Sequence, residues 1–418
     1  MSSQTTDVDI AAAGDTGGIG QATRDYWARV RGGDIGSLPA VLGLIVLVIL
    51  FGILEGSKFL SIFNFANLIN QSAAIIVLAM GLVFVLLLGE IDLSAGYAAG
   101  TCAAILAVAL NTFNLAWPLA LLAAILTGVV IGLVIGLLVA RLGIPSFVVT
   151  LAMFLALQGA MLLIIGEGGT MPIRSDAILV VMNGNMPVWM GWLLAVIIVG
   201  GFALSTLLAI RRRRKAGLPA EAMSVWAAKV VALGVLIFVA TFLLNQERQL
   251  PTAKVVIQGV PWVVVVILIL LVGLTFILQR TRFGRHVYAV GGNAEAARRA
   301  GINVKGLMIT CFIFCSSLAA VAGILLASRD NSVSPTTGGA QTLLFAVGAA
   351  VIGGTSLFGG RGKIRDAVIG GLVIAVIANG LPLITQQSGI QFVVTGLVLL
   401  VAASVDAISR RKATATGR

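Results

Sequence analysis

The segment "GEIDLSAG", residues 89–96, carries the acidic side chains whose types and setting could do chemistry. Glu90 and Asp92 stand between two apolar runs, and a carboxylate deep in a bilayer needs a partner, water or a function. Two interpretations are open. Asp92 could cap the following helix, a purely structural role. Alternatively, both carboxylates could face an aqueous pathway, where they would bind substrate hydroxyls or relay protons.

Amide side chains interrupt other apolar stretches. Asn70 and Gln71 lie near the start of one apolar run, and Asn379 lies within another. An amide both donates and accepts hydrogen bonds, which suits the hydroxyl groups of a sugar. The candidate pathway residues are therefore Asn70, Gln71, Asn379, Glu90 and Asp92. Hydrogen bonding between helices is an equally good interpretation of the amides.

A basic stretch, residues 279–306, separates two apolar runs and contains "GGNAEAARRAGI". The pattern predicts a short helix over Ala294–Ala300, because Gly301 is a typical residue after a helix end. Glu295 would lie in the first turn, where the helix dipole favours an acid. An exposed helix of this kind is suited to docking a partner protein. Contact of its arginines with lipid headgroups is the alternative.

Residues for metal, nucleophilic or nucleotide chemistry are not grouped in the sequence. The three cysteines lie in apolar runs, and the single histidine, His286, lies in the basic stretch and is expected at the surface. "GGRGKI", residues 359–364, lacks the glycine spacing and the Ser or Thr of a phosphate-binding loop. We therefore expect no cofactor, no metal and no nucleotide site, and a membrane-embedded enzyme is a poor fit.

The composition defines the class of protein. The chain has 418 residues, of which 59% are hydrophobic and only 11% charged. So few charges could not cover a water-soluble surface, and about twelve apolar runs approach the ~20 residues needed to cross a bilayer. We predict an all-α, polytopic transmembrane bundle with these runs: 38–54, 72–88, 93–110, 116–140, 147–165, 189–210, 230–244, 262–278, 307–327, 342–358, 366–380 and 390–408. The runs at 342–358 and 366–380 could be half-helices.

Positive charge fixes the predicted orientation. With the N-terminus in the cytoplasm, alternation of the runs places every strong cationic cluster on the cytoplasmic side, as the positive-inside rule requires. The clusters are Arg24, Arg29 and Arg31, Arg141, Arg211–Lys215, the stretch 279–306, Arg361–Arg365 and Arg410–Lys412. Both termini are therefore predicted to be cytoplasmic. The net charge of +12 reflects this bias and does not indicate nucleic-acid binding.

The predicted organisation has a disordered cytoplasmic tail at 1–37, a transmembrane domain at 38–408 that includes the cytoplasmic segment 279–306, and a tail at 409–418.

Small residues recur every fourth position at Ala120, Ala124, Gly128, Gly132, Gly136 and Ala140, which favours close packing of one helix face. The glycines of 89–96 align with those of "GGTSLFGG", residues 353–360. This alignment is either chance or a weak internal repeat with broken helices around a pathway.

Four motifs together resemble the permease subunits of bacterial ABC sugar importers. "GGNAEAARRAGINV" resembles the ATPase-coupling loop of these permeases, and "VFVLLLGEIDLSAG", "VIGGTSLFGGRGKI" and "NFANLINQSA" resemble the ribose- and xylose-type members. The xylose type is the most similar, because it shares the extra spans around "RRRRKAGLPAEA". Family members commonly carry acidic residues where this chain reads "QTLLFA", residues 341–346, which weakens the assignment of a substrate.

The resemblance implies a multi-pass permease in the bacterial inner membrane that carries a monosaccharide such as xylose. It implies two permease copies, a separate ATPase subunit and an extracytoplasmic sugar-binding protein, all embedded in or facing membrane lipid. The alternative is a proton-coupled secondary transporter that uses Glu90 and Asp92. The residues assigned to ATPase coupling by the resemblance are Gly292, Asn293, Glu295, Ala296, Ala297, Arg298 and Gly301.

Overall fold

A computed structural model describes residues 38–248 and 256–398, together with Leu400 and Ser404. The predicted tails 1–37 and 409–418, and the cationic clusters within them, lie outside the described residues. The described chain is almost entirely helical, as the composition predicts. Its one strand pair joins β1 (Met171–Pro172) to β2 (Ser332–Val333) in antiparallel register.

Fifteen helices are numbered here in chain order. They are α1 (Leu38–Phe59), α2 (Ile62–Leu87), α3 (Ala95–Asn111), α4 (Trp117–Ala140), α5 (Ser146–Ile165), α6 (Asp176–Asn183), α7 (Val188–Lys215), α8 (Met223–Leu244), α9 (Val263–Arg280), α10 (Arg282–Gly292), α11 (Ala294–Arg299), α12 (Val304–Asp330), α13 (Gly339–Gly353), α14 (Ile364–Ile384) and α15 (Ser388–Val398).

Eleven of the predicted apolar runs coincide with these helices, and the described part of the twelfth, 390–408, lies in α15, whereas most of its residues after Val398 lie outside the described residues. Among the described residues, nine helices are long and apolar enough to cross a membrane. Three further apolar helices, α3, α13 and α15, are shorter. The polytopic helical class is therefore confirmed, whereas the count of about twelve complete spans remains a prediction.

Helix α2 lies at the centre of the bundle. Every residue from Ser72 to Leu87 is buried, because α12, α13 and α14 pack around it. The sequence of this stretch is apolar on all sides, which is the pattern of a helix with protein on every face. Helix α1 is mostly exposed, since only 11% of its 18-residue apolar stretch is buried.

Helix α4 packs along α12 through its small-residue face. All six small residues at four-residue spacing, from Ala120 to Ala140, are buried. A Cβ added to Gly132 would lie only 2.5 Å from the carbonyl oxygen of Phe312 and 2.6 Å from Cα of Ile313. A Cβ added to Gly136 would lie 2.7 Å from Cα of Ile309. The ridge therefore serves close helix packing, as the sequence predicts.

Contacts between loops define one end of the bundle, called the basic end below. The backbone N–H of Gly360 donates to the carbonyl of Leu87 at 2.9 Å, and the hydroxyl of Tyr288 donates to the carbonyl of Gly362 at 2.7 Å. These contacts gather the end of α2, helix α10 and the start of α14. Because α4 runs antiparallel to α12, Arg141 lies at this end as well.

The opposite end gathers loops with few cations. The side chain of Asn111 donates to the carbonyl of Pro172 at 2.7 Å, and that of Asn183 donates to the carbonyl of Ser328 at 2.9 Å. Helix α7 starts at this end and runs away from it, so Arg211–Lys215 lies toward the basic end. The described cationic clusters thus share one end, which agrees with the predicted orientation.

The chain passes through the bundle twice as a short helix joined to a non-helical segment. These two passages are called the partly helical crossings below. Helices α3 and α13, of 17 and 15 residues, begin side by side inside the bundle, where Gly96 leaves no room for a side chain against Gly339. From there α3 runs to the opposite end and α13 to the basic end. The non-helical segments 88–94 and 331–338 complete the two crossings. Of the two suspected half-helices, α13 is short, whereas α14 has a full 21 residues.

The element order favours a repeat different from the one suggested by the glycines. Helices α2–α5 and α12–α15 each show a long helix, a non-helical segment, a short helix and two further helices. In this order, residues 89–94 correspond to 331–338. Residues 353–360 instead form the end of α13 and the turn before α14. The aligned segments nevertheless meet, because the N–H of Gly360 bonds to Leu87, two residues before Gly89.

Filling the α4–α12 interface tests the packing. We expect Gly132→Val to lower the stability of the folded bundle by about 1–3 kcal/mol, because the new side chain meets backbone atoms that cannot turn aside. The matched control is Gly159→Ala in α5, where nothing lies within 4 Å of the added carbon. Thermal unfolding in detergent measures both variants, and equal midpoints would contradict the described packing.

Candidate coupling surface and candidate pathway residues

The basic stretch 279–306 is mostly helical. Helix α9 ends at Arg280, and α10 and α11 follow before α12 begins at Val304. The expected short helix is therefore present, although it ends one residue earlier than predicted. Together, α10 and α11 form a continuous surface at the basic end, called the coupling surface below.

Local hydrogen bonds set both ends of α11. The side-chain oxygen of Asn293 accepts from the N–H of Ala296 at 2.9 Å, which satisfies a free donor of the first turn. Gly301 has a φ of 84°, and its N–H donates to the carbonyl of Arg298 at 3.0 Å. This left-handed residue ends the helix, as predicted, because glycine adopts it without steric cost.

The arginines of α11 converge on its single acid. Arg298 lies 2.6 Å and Arg299 lies 3.2 Å from the carboxylate of Glu295. The hydrogen bonds from Arg298 and then Arg299 hold the pKa of Glu295 below its usual value. All three side chains are exposed, so these ion pairs add little stability but place charges of both signs on the surface of the basic end.

Most of the assigned coupling residues are exposed on this surface. Gly292, Asn293, Glu295, Ala296, Arg298 and Gly301 are exposed, whereas Ala297 is buried against the bundle. His286 is also exposed, as expected. The small side chains around Glu295 leave the backbone of α11 accessible to a docking partner.

Contacts from α10 anchor the coupling surface to both partly helical crossings. Gly291 presses on the carbonyl of Leu87, which precedes the segment leading to α3. The hydroxyl of Tyr288 holds Gly362, in the turn that follows α13. Burial, and then the negative charge of Asp366, raise the pKa of Tyr288, so the phenol remains a hydrogen-bond donor. Neither Tyr288 nor Gly291 stands out in the sequence as an anchor.

Asp92 is fully buried where the non-helical segment meets α3. Its Oδ1 accepts from the N–H of Ser94 at 2.9 Å and from the Ser94 hydroxyl at 2.6 Å. The thiol of Cys315 faces the carboxylate, while Oδ2 accepts no hydrogen bond of ordinary geometry. This arrangement supports the start of α3. In the described conformation the side chain is not open to an aqueous pathway.

Glu90 is half-buried at the basic end, close to the coupling surface. Its N–H donates to the carbonyl of Val85 at 3.2 Å, which closes the last turn of α2. The structure thus places Glu90 and Asp92 in different surroundings, although only one residue separates them. It does not form them into a pair.

The amides at the opposite end form a cluster between α2 and α14. Asn379 and Asn64 exchange two hydrogen bonds of 2.9 Å, and Asn379 also donates to Gln71 at 3.3 Å. Asn379 and Gln71 are thereby brought together as an interhelical contact. Asn64 was not predicted, although its three-residue spacing from Asn67 and Asn70 is visible in the sequence. Asn70 is the exception, because its buried carbonyl oxygen has no partner.

The described residues offer no grouping for metal or thiol chemistry. No cluster of three His, Cys, Asp or Glu residues that could hold a metal ion occurs in 38–248 or 256–398. Cys102, Cys311 and Cys315 are free and buried among apolar helices. Their role in the described fold is packing.

The long apolar helices are those of a multi-pass membrane protein. The family model described as "branched-chain amino acid transport system / permease component" matches residues 64–403, and the chain belongs to this family. The predicted membrane location, as a multi-pass protein of the bacterial inner membrane, agrees with this membership and with the apolar helices.

Similar proteins include sugar permeases of bacteria. The chain is 34% identical to the xylose transport system permease protein of Haemophilus influenzae over 89% of this chain and 96% of that protein. It is 31% identical to the fructose import permease protein of Rhizobium meliloti over 90% and 88%. It is 41% identical to the ribose import permease protein of Escherichia coli over only 35% and 46%. The resemblance stated from the motifs is confirmed. No solved structure matches the chain significantly.

Gly291 of α10 and Gly273 of α9 provide a matched pair of variants. We expect Gly291→Ala to impair energised uptake, because a methyl group there collides with the backbone of Leu87 and Gly360 and displaces α10 at a cost of about 1–3 kcal/mol. Gly273→Ala in α9 should be neutral, since nothing lies within 4 Å of the added carbon. Uptake per inserted chain is the measurement. Equal activity of the two variants would argue against a mechanical role for this contact.

Asp92 is tested by two substitutions of different chemistry. Asp92→Asn should keep folding and transport, because an amide oxygen can still accept from Ser94. Asp92→Ala should lower stability by about 1–3 kcal/mol, since the buried N–H of Ser94 loses its acceptor. Unfolding midpoints and uptake are measured for both. Complete loss of uptake by a stable Asp92→Asn protein would favour the pathway role instead.

Proposed function

We propose that the chain is the membrane permease of an ATP-binding-cassette importer that translocates a monosaccharide, with xylose or a related pentose as the substrate. A separate ATPase subunit supplies the energy, and an extracytoplasmic sugar-binding protein delivers the substrate. Two copies of the chain form the pathway. The family and the xylose, fructose and ribose permeases among the relatives support this assignment.

The observation that carries the mechanism is the contact of α10 with both partly helical crossings. Gly291 abuts Leu87, and the hydroxyl of Tyr288 donates to the carbonyl of Gly362. A displacement of the coupling surface by the ATPase would therefore move the end of α2 and the turn after α13 together. Closely packed interfaces pass such displacements on because they do not deform continuously.

The ATPase contact is assigned to the exposed side of α10 and α11. Glu295, Arg298 and Gly301 shape this side, and the buried Ala297 fixes it to the bundle. Each nucleotide state of the ATPase must favour a different position of this surface, since a partner that binds both positions equally shifts nothing.

The substrate side of the proposal rests on neutral hydrogen-bonding groups. Among the candidate pathway residues, Asn70 has an unsatisfied carbonyl oxygen, whereas Gln71 and Asn379 are engaged in the cluster with Asn64. An amide oxygen accepts from a sugar hydroxyl without requiring a charged substrate. Asn70 is therefore the residue assigned to direct sugar contact, and the cluster positions α2 against α14.

Reconstitution distinguishes this proposal from the proton-coupled alternative. Proteoliposomes containing the chain, its ATPase partner and the binding protein should transport labelled xylose only when ATP is present on the side of the membrane that carries the ATPase. The chain alone should accumulate none, with or without a pH gradient. Uptake by the chain alone that a protonophore abolishes would overturn the ATP-driven assignment in favour of Glu90 and Asp92 as proton carriers.

Variants of α11 test the coupling role. In the reconstituted system, Glu295→Arg and Gly301→Pro should each reduce ATP-driven uptake about tenfold or more, since about 1.4 kcal/mol of lost coupling gives a factor of ten. The first reverses the charge that holds two arginines, and the second substitutes a residue that cannot adopt a positive φ. Lys305→Gln, exposed at the start of α12, is the control. Normal uptake by both α11 variants would place coupling elsewhere.

A further inference from the structure

Helix α7 is longer than the hydrocarbon core of a membrane. Its 28 residues span about 42 Å at ~1.5 Å per residue, whereas the core is ~30 Å thick. The surplus of about 12 Å corresponds to roughly two turns. The last residues of α7, Arg211–Lys215, occupy that length at the basic end. They therefore project into the headgroup layer on the side that faces the cytoplasm.

Helices α7 and α8 form a hairpin at the periphery of the bundle. Only 11% of the apolar window of each helix is buried. Of the α7 side chains, Met190 and Leu194, near the opposite end, pack on the cluster shared with α2. Farther along, Leu204 and Leu208 are exposed whereas Ile210 is buried, so one face of the basic end of α7 packs on protein and the rest is open to lipid.

The hairpin holds its basic end in a fixed position. The indole N–H of Trp226 donates to the hydroxyl of Thr206 at 3.0 Å, which joins α8 to α7 shortly before the cationic run. The connecting residues 216–222 contain one acid, Glu221, and it pairs with Lys229. The cationic run therefore keeps a strong positive charge close to the membrane surface.

The cations surround the helix. All five residues of Arg211–Lys215 are exposed, and consecutive residues are ~100° apart, so together they cover the full circumference. A docked protein would contact one side of such a helix and leave the other cations in solvent. A layer of headgroups contacts every side. The arrangement thus fits a lipid surface better than a protein partner.

We propose that the end of α7 is a binding site for the anionic phospholipids of the cytoplasmic leaflet, with the phosphates of their headgroups as the recognised groups. The positive end of the hairpin attracts these lipids, and the exposed leucines of α7 contact their acyl chains. Each cation near a membrane surface contributes about fivefold to such binding. The site is separate from the coupling surface and from the pathway residues.

Lipid retention by the full-length chain tests this site. The protein is extracted from liposomes of equal parts phosphatidylglycerol and phosphatidylcholine, and retained lipids are counted by native mass spectrometry. The wild-type chain should retain phosphatidylglycerol in preference. The variant R211Q/R212Q/R213Q/K215Q should retain at least about tenfold less, given about fivefold for each cation. R211K/R212K/R213K keeps the charge and should match the wild type.

A salt titration of the wild-type chain gives a result that does not depend on whether a variant inserts. Retention of phosphatidylglycerol should fall as salt rises, because counterions screen the exposed charges. Equal retention of both lipids, retention that is independent of salt, or unchanged retention by the glutamine variant would each overturn the proposal. So would a glutamine variant that keeps its lipid but no longer binds the ATPase subunit, because the cations would then serve protein docking.

Discussion

The structure depends on one constraint, which is that backbone N–H and C=O groups within a membrane must find partners inside the protein. Unbroken helices satisfy this requirement by themselves, but segments 88–94 and 331–338 do not. Side chains of α5 complete part of the first: Ser146 accepts from the N–H of Ile91 at 3.4 Å, and Thr150 donates to its carbonyl at 3.3 Å. Such segments persist only where protein encloses them. The enclosing helices α2, α4 and α12 are therefore closely packed, and the small-residue face of α4 is a consequence.

This constraint also explains why the moving parts of the proposed mechanism lie where they do. Non-helical chain can change its conformation more readily than a helix, yet it must stay covered while it does so. The contacts of Gly291 and Tyr288 lie where these crossings emerge at the basic end. A rigid element placed there acts on both crossings without opening the bundle to lipid. In the proposed mechanism, the coupling surface and the two crossings therefore move together.

Local features of this fold were predictable from the sequence, and contacts between distant residues were not. Hydropathy located the long apolar helices among the described residues, and the glycine signal located the end of α11, because both depend on neighbouring residues. The short helices α6 and α10 were not predicted. Hydropathy could not show that α3 and α13 begin inside the bundle, since an apolar run looks the same whether or not it is helical throughout. The pairing of Asn64 with Asn379 joins residues 315 positions apart, and no local pattern encodes it. The contact of Gly291 with the carbonyl of Leu87 was not predicted for the same reason. The alignment of 89–96 with 353–360 stays a prediction, because glycines mark close approaches and turns alike.

The burial of Cys102, Cys311 and Cys315 has a practical consequence for site-specific labelling of the protein during transport. Thiol reagents act on accessible thiolates, so the buried natural cysteines are poor targets. A probe attached through a single cysteine introduced on an exposed face would report from that place alone, against a silent background. Spin labels or fluorophores on neighbouring subunits could then record distances during turnover in the otherwise unaltered chain.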